Sequence, residues 1–204
     1  MRRSFDTRLP ITKEILQKLV HALPFVIADF YNRIMLKAMM YLAYYCFLRI
    51  GEITVKKNTD FSKVMQISNV FFEKEQEHVI GVRVTLTDYK HSDLQPKTIS
   101  ITRDKENLLC PVESLLNYFA IAKHRMGPLF QFVCGAPVSY SYFNSSLKSL
   151  LSYVGLSLNV YKGHSFRIGA ATAAAARGVS LSVIQSMGRW KSNAFKNYIR
   201  MQNF

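Results

Sequence analysis

The hydrophobic period of the chain changes twice, and those changes narrow the folds open to it. Apolar residues recur at helical spacing over 11–22, where Ile11, Ile15, Leu16, Leu19 and Val20 form one stripe, with Pro10 and Thr12 at its start and Pro24 after its end. A second apolar run over 34–48 is interrupted by Lys37 and is too short to cross a bilayer, so it predicts a buried core helix over 31–47. Over 64–102 the period falls to two. Segments 64–72, 79–86 and 97–102 are rich in Val, Ile, Phe and Thr, and their alternation predicts an antiparallel meander with one covered face. Helical spacing returns over 111–122, 140–154, 165–177, 181–187 and 193–201, with Gly155, Gly163, Gly178 and Gly188 at the breaks. Gly51 stands where the chain must turn sharply after the second helix. The expectation is an α+β, mainly α fold with a small three-stranded antiparallel sheet. It forms a single domain over 1–204, with 1–9 as a flexible lead-in.

Charge says more about partners than about fold. Lys and Arg number 27 against 13 Asp and Glu, a formal net charge of +14, and that excess favours a polyanion, with nucleic acid the first candidate. A composition 49% hydrophobic and 20% charged argues against disorder. Cys46, Cys110 and Cys134 are odd in number and widely spaced, which fits neither a disulfide framework nor a zinc site and suits a reducing, intracellular compartment. The N-terminal residues lack the apolar core of a signal peptide, and no membrane partner is expected.

Six residues in four motifs suggest a chemistry. His164 and Arg167 lie three apart at the start of a helix, so an imidazole and a guanidinium share one face and can converge on a small anion. Tyr198 follows in KNYIRM. Upstream, LRIGEI supplies Arg49 and Glu52, and the polar loop TDYKHSDLQP supplies Lys90 between the second and third strands. Each motif alone has a plain structural reading, such as an ion pair between Arg49 and Glu52 at a helix end. In the order Arg, Lys, His-x-x-Arg, Tyr, they suit metal-free cleavage of a phosphodiester.

On these motifs the chain resembles the catalytic domain of the tyrosine recombinase (phage integrase-like) family. RLPIT, CFLRIGEIT, HSFRIGAATAAAARG and MGRWKSNAFKNYIR are most similar to the DIRS and Crypton recombinases of eukaryotic mobile elements, which implies action in the nucleus. The resemblance implies that Arg49 and Arg167 bind the phosphate, Glu52 supports Arg49, Lys90 sits on the hairpin, and Tyr198 is the nucleophile. A further His or Trp position falls at Arg189 by alignment on Gly188 and at Trp190 by residue type. Trp190 is preferred, since its indole N–H can donate to a phosphate oxygen and its ring can pack against the tyrosine helix. The family also carries an N-terminal DNA-clamping domain. That domain is expected to be absent here, making the chain a fragment, a truncated gene copy or a domain that works with a partner.

These residue types match the chemical demand. Ionising a tyrosine at pH 7 costs about 4 kcal/mol from its pKa near 10, so His164 must share the proton and positive charge must stabilise the phenolate. Two arginines fork onto the non-bridging oxygens and stabilise the transition state. Lys90 protonates the departing 5′-oxygen, which leaves as the hydroxyl. The implied product is a 3′-phosphotyrosine, which stores the bond energy, so no cofactor or metal is needed. The sequence shows no acidic cluster suited to two metal ions. The implied assembly is a homo-oligomer, a synaptic tetramer on DNA. Two other readings stay open: a DNA-binding derivative that no longer cleaves, and a DNA-relaxing enzyme of the type IB topoisomerase kind.

Overall fold

The computed structural model describes residues 7–56, 60–87, 95–104 and 109–200. Among them, helices dominate and a three-stranded antiparallel sheet is inserted between the second and third, as the periods predict. Helix α1 (Lys13–Val26) starts at Thr12, whose hydroxyl accepts the Ile15 N–H at 3.3 Å. It runs through Pro24 rather than stopping before it. Pro24 lies on the exposed side of the last turn, where one missing N–H matters little, while Leu23 and Val26 pack against the core.

Helix α2 (Phe30–Tyr45) is the centre of the molecule. Asp29 caps it by accepting the Asn32 N–H at 2.8 Å, and Met35, Leu36, Met39, Leu42 and Ala43 are all essentially buried. A helix apolar on most sides must be surrounded, and α2 packs against α1, α3 (Pro111–Ile121) and α5 (Ser165–Ala176). Helix α4 (Tyr140–Tyr153) closes the other side of α1.

Strands β1 (Val70–Glu75), β2 (His78–Leu86) and β3 (Lys97–Thr102) pair in that order, with Val84 opposite both Val70 and Ile99. The inward side carries Val82, Val84 and Leu86, and Phe72 meets Phe119 of α3 edge-on at 5.4 Å. Residues 64–69, expected as part of the first strand, do not join the sheet. The Gln66 N–H donates to Asn69 Oδ1 at 2.7 Å and folds Ile67–Asn69 into a 3-10 turn, while Met65 exchanges main-chain bonds with Glu52 and Leu129.

The segment before α1 is a strap across α5. Leu9 N–H donates to Val160 O at 2.9 Å and Ile11 N–H to Ser165 O at 3.0 Å. A side chain at Gly169 would stand 1.8 Å from the Ile11 carbonyl oxygen, so the strap fits only over a glycine. Helix α6 (Leu181–Met187) and a 3-10 segment, Asn193–Tyr198, end the described chain. The last of these was expected as an α-helix over 193–201. Its apolar anchor is one buried ring, Phe195, which sits in a small cluster with Phe47, Ala170, Ala171, Ala174 and Ile184, apart from the main core. No helix among the described residues is long and apolar enough to cross a membrane.

Candidate active site

Three chain segments meet at the end of α2. The first is the turn after that helix. Phe47 takes a left-handed conformation (φ 52°), an unfavourable state for an aromatic residue that its buried ring offsets. The sharp redirection expected at Gly51 therefore occurs at Phe47, and Gly51 lies in the 3-10 turn Ile50–Glu52 without a positive φ. Arg49 precedes that turn. Its N–H donates to Glu52 Oε2 at 2.9 Å and its Nη1 to Glu52 Oε1 at 3.0 Å, so the carboxylate folds back over the residue it supports. Arg49 is half-buried and Glu52 is buried.

The second segment is the start of α5. His164 stands at the N-cap, and Gly163 before it lets the backbone approach the first segment, since a Cβ there would lie 2.8 Å from Ile50 Cγ1. Arg167 is fully buried. Its Nη1 donates to the Phe47 carbonyl at 2.5 Å, its Nη2 donates to the Gly188 carbonyl, and the Trp190 ring covers its guanidinium with the centroid 4.0 Å from Cζ. Both arms of the fork thus rest on main-chain carbonyls. Burial, and then the nearby Arg49 and Arg189, push the Arg167 guanidinium down to about 9, with Glu52 and Tyr198 acting the other way.

The third segment runs from the end of α6 to Tyr198. Trp190 meets four groups here: Arg167, Phe47 at 6.3 Å, Phe195 at 5.7 Å and Tyr198 at 5.4 Å between ring centroids. The Tyr198 ring lies 5.0 Å from the His164 ring, so the phenol is bracketed by an imidazole and an indole. Arg189, the competing candidate for the place given to Trp190, turns the other way with φ 56° and donates to Glu52 Oε2 at 2.7 Å. Lys90 lies outside the described residues.

Two contacts at this site were not read from the motifs. Thr172 Oγ1 donates to the Tyr198 carbonyl at 3.2 Å and accepts the Arg200 N–H at 3.1 Å, tying the 3-10 segment to α5. Its signal was present: Thr172 is the lone polar residue in the run GAATAAAA. Lys97, which opens β3, donates from Nζ to Ser186 Oγ at 3.1 Å and links the sheet to α6, a contact between elements too far apart in sequence for periodicity to reveal. Chemically, Arg49, Arg167 and Arg189 gather around a single carboxylate beside a phenol, which leaves an excess of positive charge suited to an anion.

Comparison with known proteins gives the family and the fold. Residues 10–203 match the Phage integrase family, and the chain belongs to it. No curated protein matches the chain by sequence. Among solved structures, the XerH site-specific recombinase bound to difH in a pre-cleavage complex superposes with a TM-score of 0.68 at 12% identity, covering 100% of this chain and 53% of that one. A lambda integrase dimer bound to a COC′ core site gives 0.62 at 16% identity, covering 95% and 48%. The Tn1549 transposon integrase (aa 82-397), in complex with circular intermediate DNA, gives 0.57 at 15% identity, covering 100% and 64%. At these identities the likeness establishes the shared fold, and the chain spans about half the length of the first of these proteins.

Proposed function

We propose that this chain is the catalytic domain of a tyrosine recombinase that cleaves and rejoins DNA through a 3′-phosphotyrosine at Tyr198. The observation that carries the reading is the bracketing of the Tyr198 ring by His164 and Trp190 beside the Arg49–Arg167 pair. His164 takes the phenolic proton as the oxygen attacks phosphorus. Arg49 and Arg167 stabilise the charge that develops on the non-bridging oxygens. Trp190 packs the nucleophile and donates from its indole N–H. Lys90 delivers a proton to the leaving 5′-oxygen. The reverse attack by another 5′-hydroxyl restores the diester, so bonds and protons balance without ATP.

The finer reading is a recombinase of a DIRS- or Crypton-like eukaryotic mobile element, acting in the nucleus as a synaptic tetramer on double-stranded DNA. One observation favours a second reading, a DNA-binding relative that no longer cleaves: both arms of the buried Arg167 fork are held by carbonyls.

The test is a library of nicked duplexes, randomised around the nick, with covalent adducts captured on a denaturing gel and mapped by mass spectrometry. An adduct on Tyr198, abolished in Tyr198→Phe while DNA binding persists, is the expected result. Binding without any adduct supports the second reading, and an adduct on another residue overturns the first.

A further inference from the structure

We propose that Arg189 is a positioning residue that acts on Arg49 through Glu52, leaving Trp190 as the residue of this turn that faces the nucleophile. The inference rests on the strand-cleaving function proposed above. Neighbouring residues in a tight turn project in different directions, and the left-handed backbone at Arg189 (φ 56°) sends its side chain inward while the indole covers Arg167. That conformation is uncommon for a residue with a long side chain, and the contacts it permits offset it.

The Arg189 side chain is only 2% exposed, and its two Nη groups have fixed targets. Nη2 reaches Glu52 Oε2 at 2.7 Å and the Phe47 carbonyl at 3.3 Å, and Nη1 reaches the Cys46 carbonyl at 3.2 Å. A phosphate could engage this guanidinium only after the pair with Glu52 had opened. Arg189 is therefore placed as a strut and not as an anion ligand.

The strut has a specific load. Glu52 uses Oε1 for Arg49 Nη1 and shares Oε2 between the Arg49 N–H and Arg189 Nη2. Arg189 holds one edge of the carboxylate while Arg49 takes the other, and the same guanidinium grips the Cys46 and Phe47 carbonyls just past the end of α2. The ends of α2 and α6 and the Arg49 turn are locked together by one side chain. Remove it, and the buried carboxylate keeps a single guanidinium and loses its fixed orientation, so Arg49 loses the support that aims it. The planar fork matters because an ammonium cannot reach the carboxylate and two carbonyls in one geometry.

The experiment uses the full chain and a nicked duplex recovered from the adduct library, at saturating DNA. Each variant is assayed well below its own unfolding midpoint, so that a loss of stability does not register as a loss of rate. Arg189→Met is expected to slow adduct formation about tenfold or more, with the DNA dissociation constant within about twofold of wild type. Glu52→Gln should show a similar loss, and the double variant should be no worse than about twofold below the slower single, because both changes break one linkage. Arg189→Lys, which keeps a cation beside Glu52, should recover part of the rate. Should Arg189→Met fail to fold, the same cycle is run with Arg189→Lys and Glu52→Gln. Multiplicative losses in the double variant would overturn the proposal, as would an Arg189 defect confined to DNA affinity. A wild-type chain that forms no Tyr198 adduct would instead remove the function on which the proposal rests.

Discussion

Replacing Gly188 by alanine should unseat the indole that covers Arg167. The backbone at Gly188 (φ −80°, ψ −4°) suits any residue, so the obstacle is purely steric. A Cβ there would lie 1.6 Å from Cζ3 of Trp190, 2.0 Å from Cε3 and 2.3 Å from Cη2. Carbon atoms in contact settle near 3.5 Å, so the ring must shift by about 2 Å, and it cannot do so while stacked on the guanidinium. The shift gives up a desolvated cation–π contact of about 2 kcal/mol. It also weakens three aromatic contacts, at about 0.5–1.5 kcal/mol each. Part of the ring stays covered in its new place, which leaves a net loss of about 2–4 kcal/mol. For a chain of this size each kcal/mol moves the midpoint by about 2–4 °C, so Tm should fall by about 5–15 °C. Trp190 is the only tryptophan, so its emission reports the same event directly. Gly188→Ala should red-shift the emission and open the ring to acrylamide quenching. Gly155→Ala has φ +73° and nothing within 4 Å, and should cost about 1 kcal/mol with no change in emission. Unshifted fluorescence together with a midpoint within about 2 °C of wild type would refute the reasoning.

Phe195→Ala empties the centre of the small cluster and should cost about 3–4 kcal/mol in a thermal melt. It should also lower Tyr198 adduct yield well below the folding midpoint, since Phe195 anchors the segment that carries the phenol. Tyr44→Phe should raise stability by up to about 1 kcal/mol in a denaturant titration, because the Tyr44 hydroxyl is buried and makes no hydrogen bond. Burial also raises the phenol pKa of Tyr41, Tyr44 and Tyr118. Unfolded phenols ionise near pH 10 while these stay protonated in the fold. Their stabilisation is therefore complete below about pH 10 and is lost as pH climbs beyond it. Tyr44→Phe removes one of the three, and a melt series from about pH 9 to 11 should show a shallower decline than wild type.

How far the sequence disclosed the fold depended on whether a segment's local signals agreed. β3 at Lys97–Thr102 and α6 at Leu181–Met187 carry one period with clean borders, and they form where the residues predict. At 64–69 the β-rich composition competes with the bond from the Gln66 N–H to the Asn69 side chain, and the local bond prevails. Pro24 signals a stop, yet Leu23 and Val26 keep α1 going because their burial outweighs one absent hydrogen bond. In the candidate site, the spacing of His164 from Arg167 and the LRIGEI, GHSFR and KNYIRM motifs marked residues that the fold brings close together. The opposed directions of Arg189 and Trp190 were not legible, because they follow from a left-handed backbone at a non-glycine residue. Nor could spacing reveal that Phe47 O would accept from both Arg167 and Arg189, since that depends on contacts more than 100 positions apart.

The split between the two apolar clusters gives the molecule two thresholds of opening. The main core holds α1 to α4 and Phe166, whereas the six-residue cluster is the apolar anchor of α6 and the segment leading to Tyr198. Helix α5 belongs to both, with Phe166 in one and Ala170, Ala171 and Ala174 in the other. Amides in α6 and the residues after it should therefore exchange with deuterium through a partial opening well below the global unfolding free energy, while those of α2 exchange only when the whole chain unfolds. In such an opening, the phenol, the indole and Arg189 would depart together, while Arg49 and Glu52 stay with the rigid body.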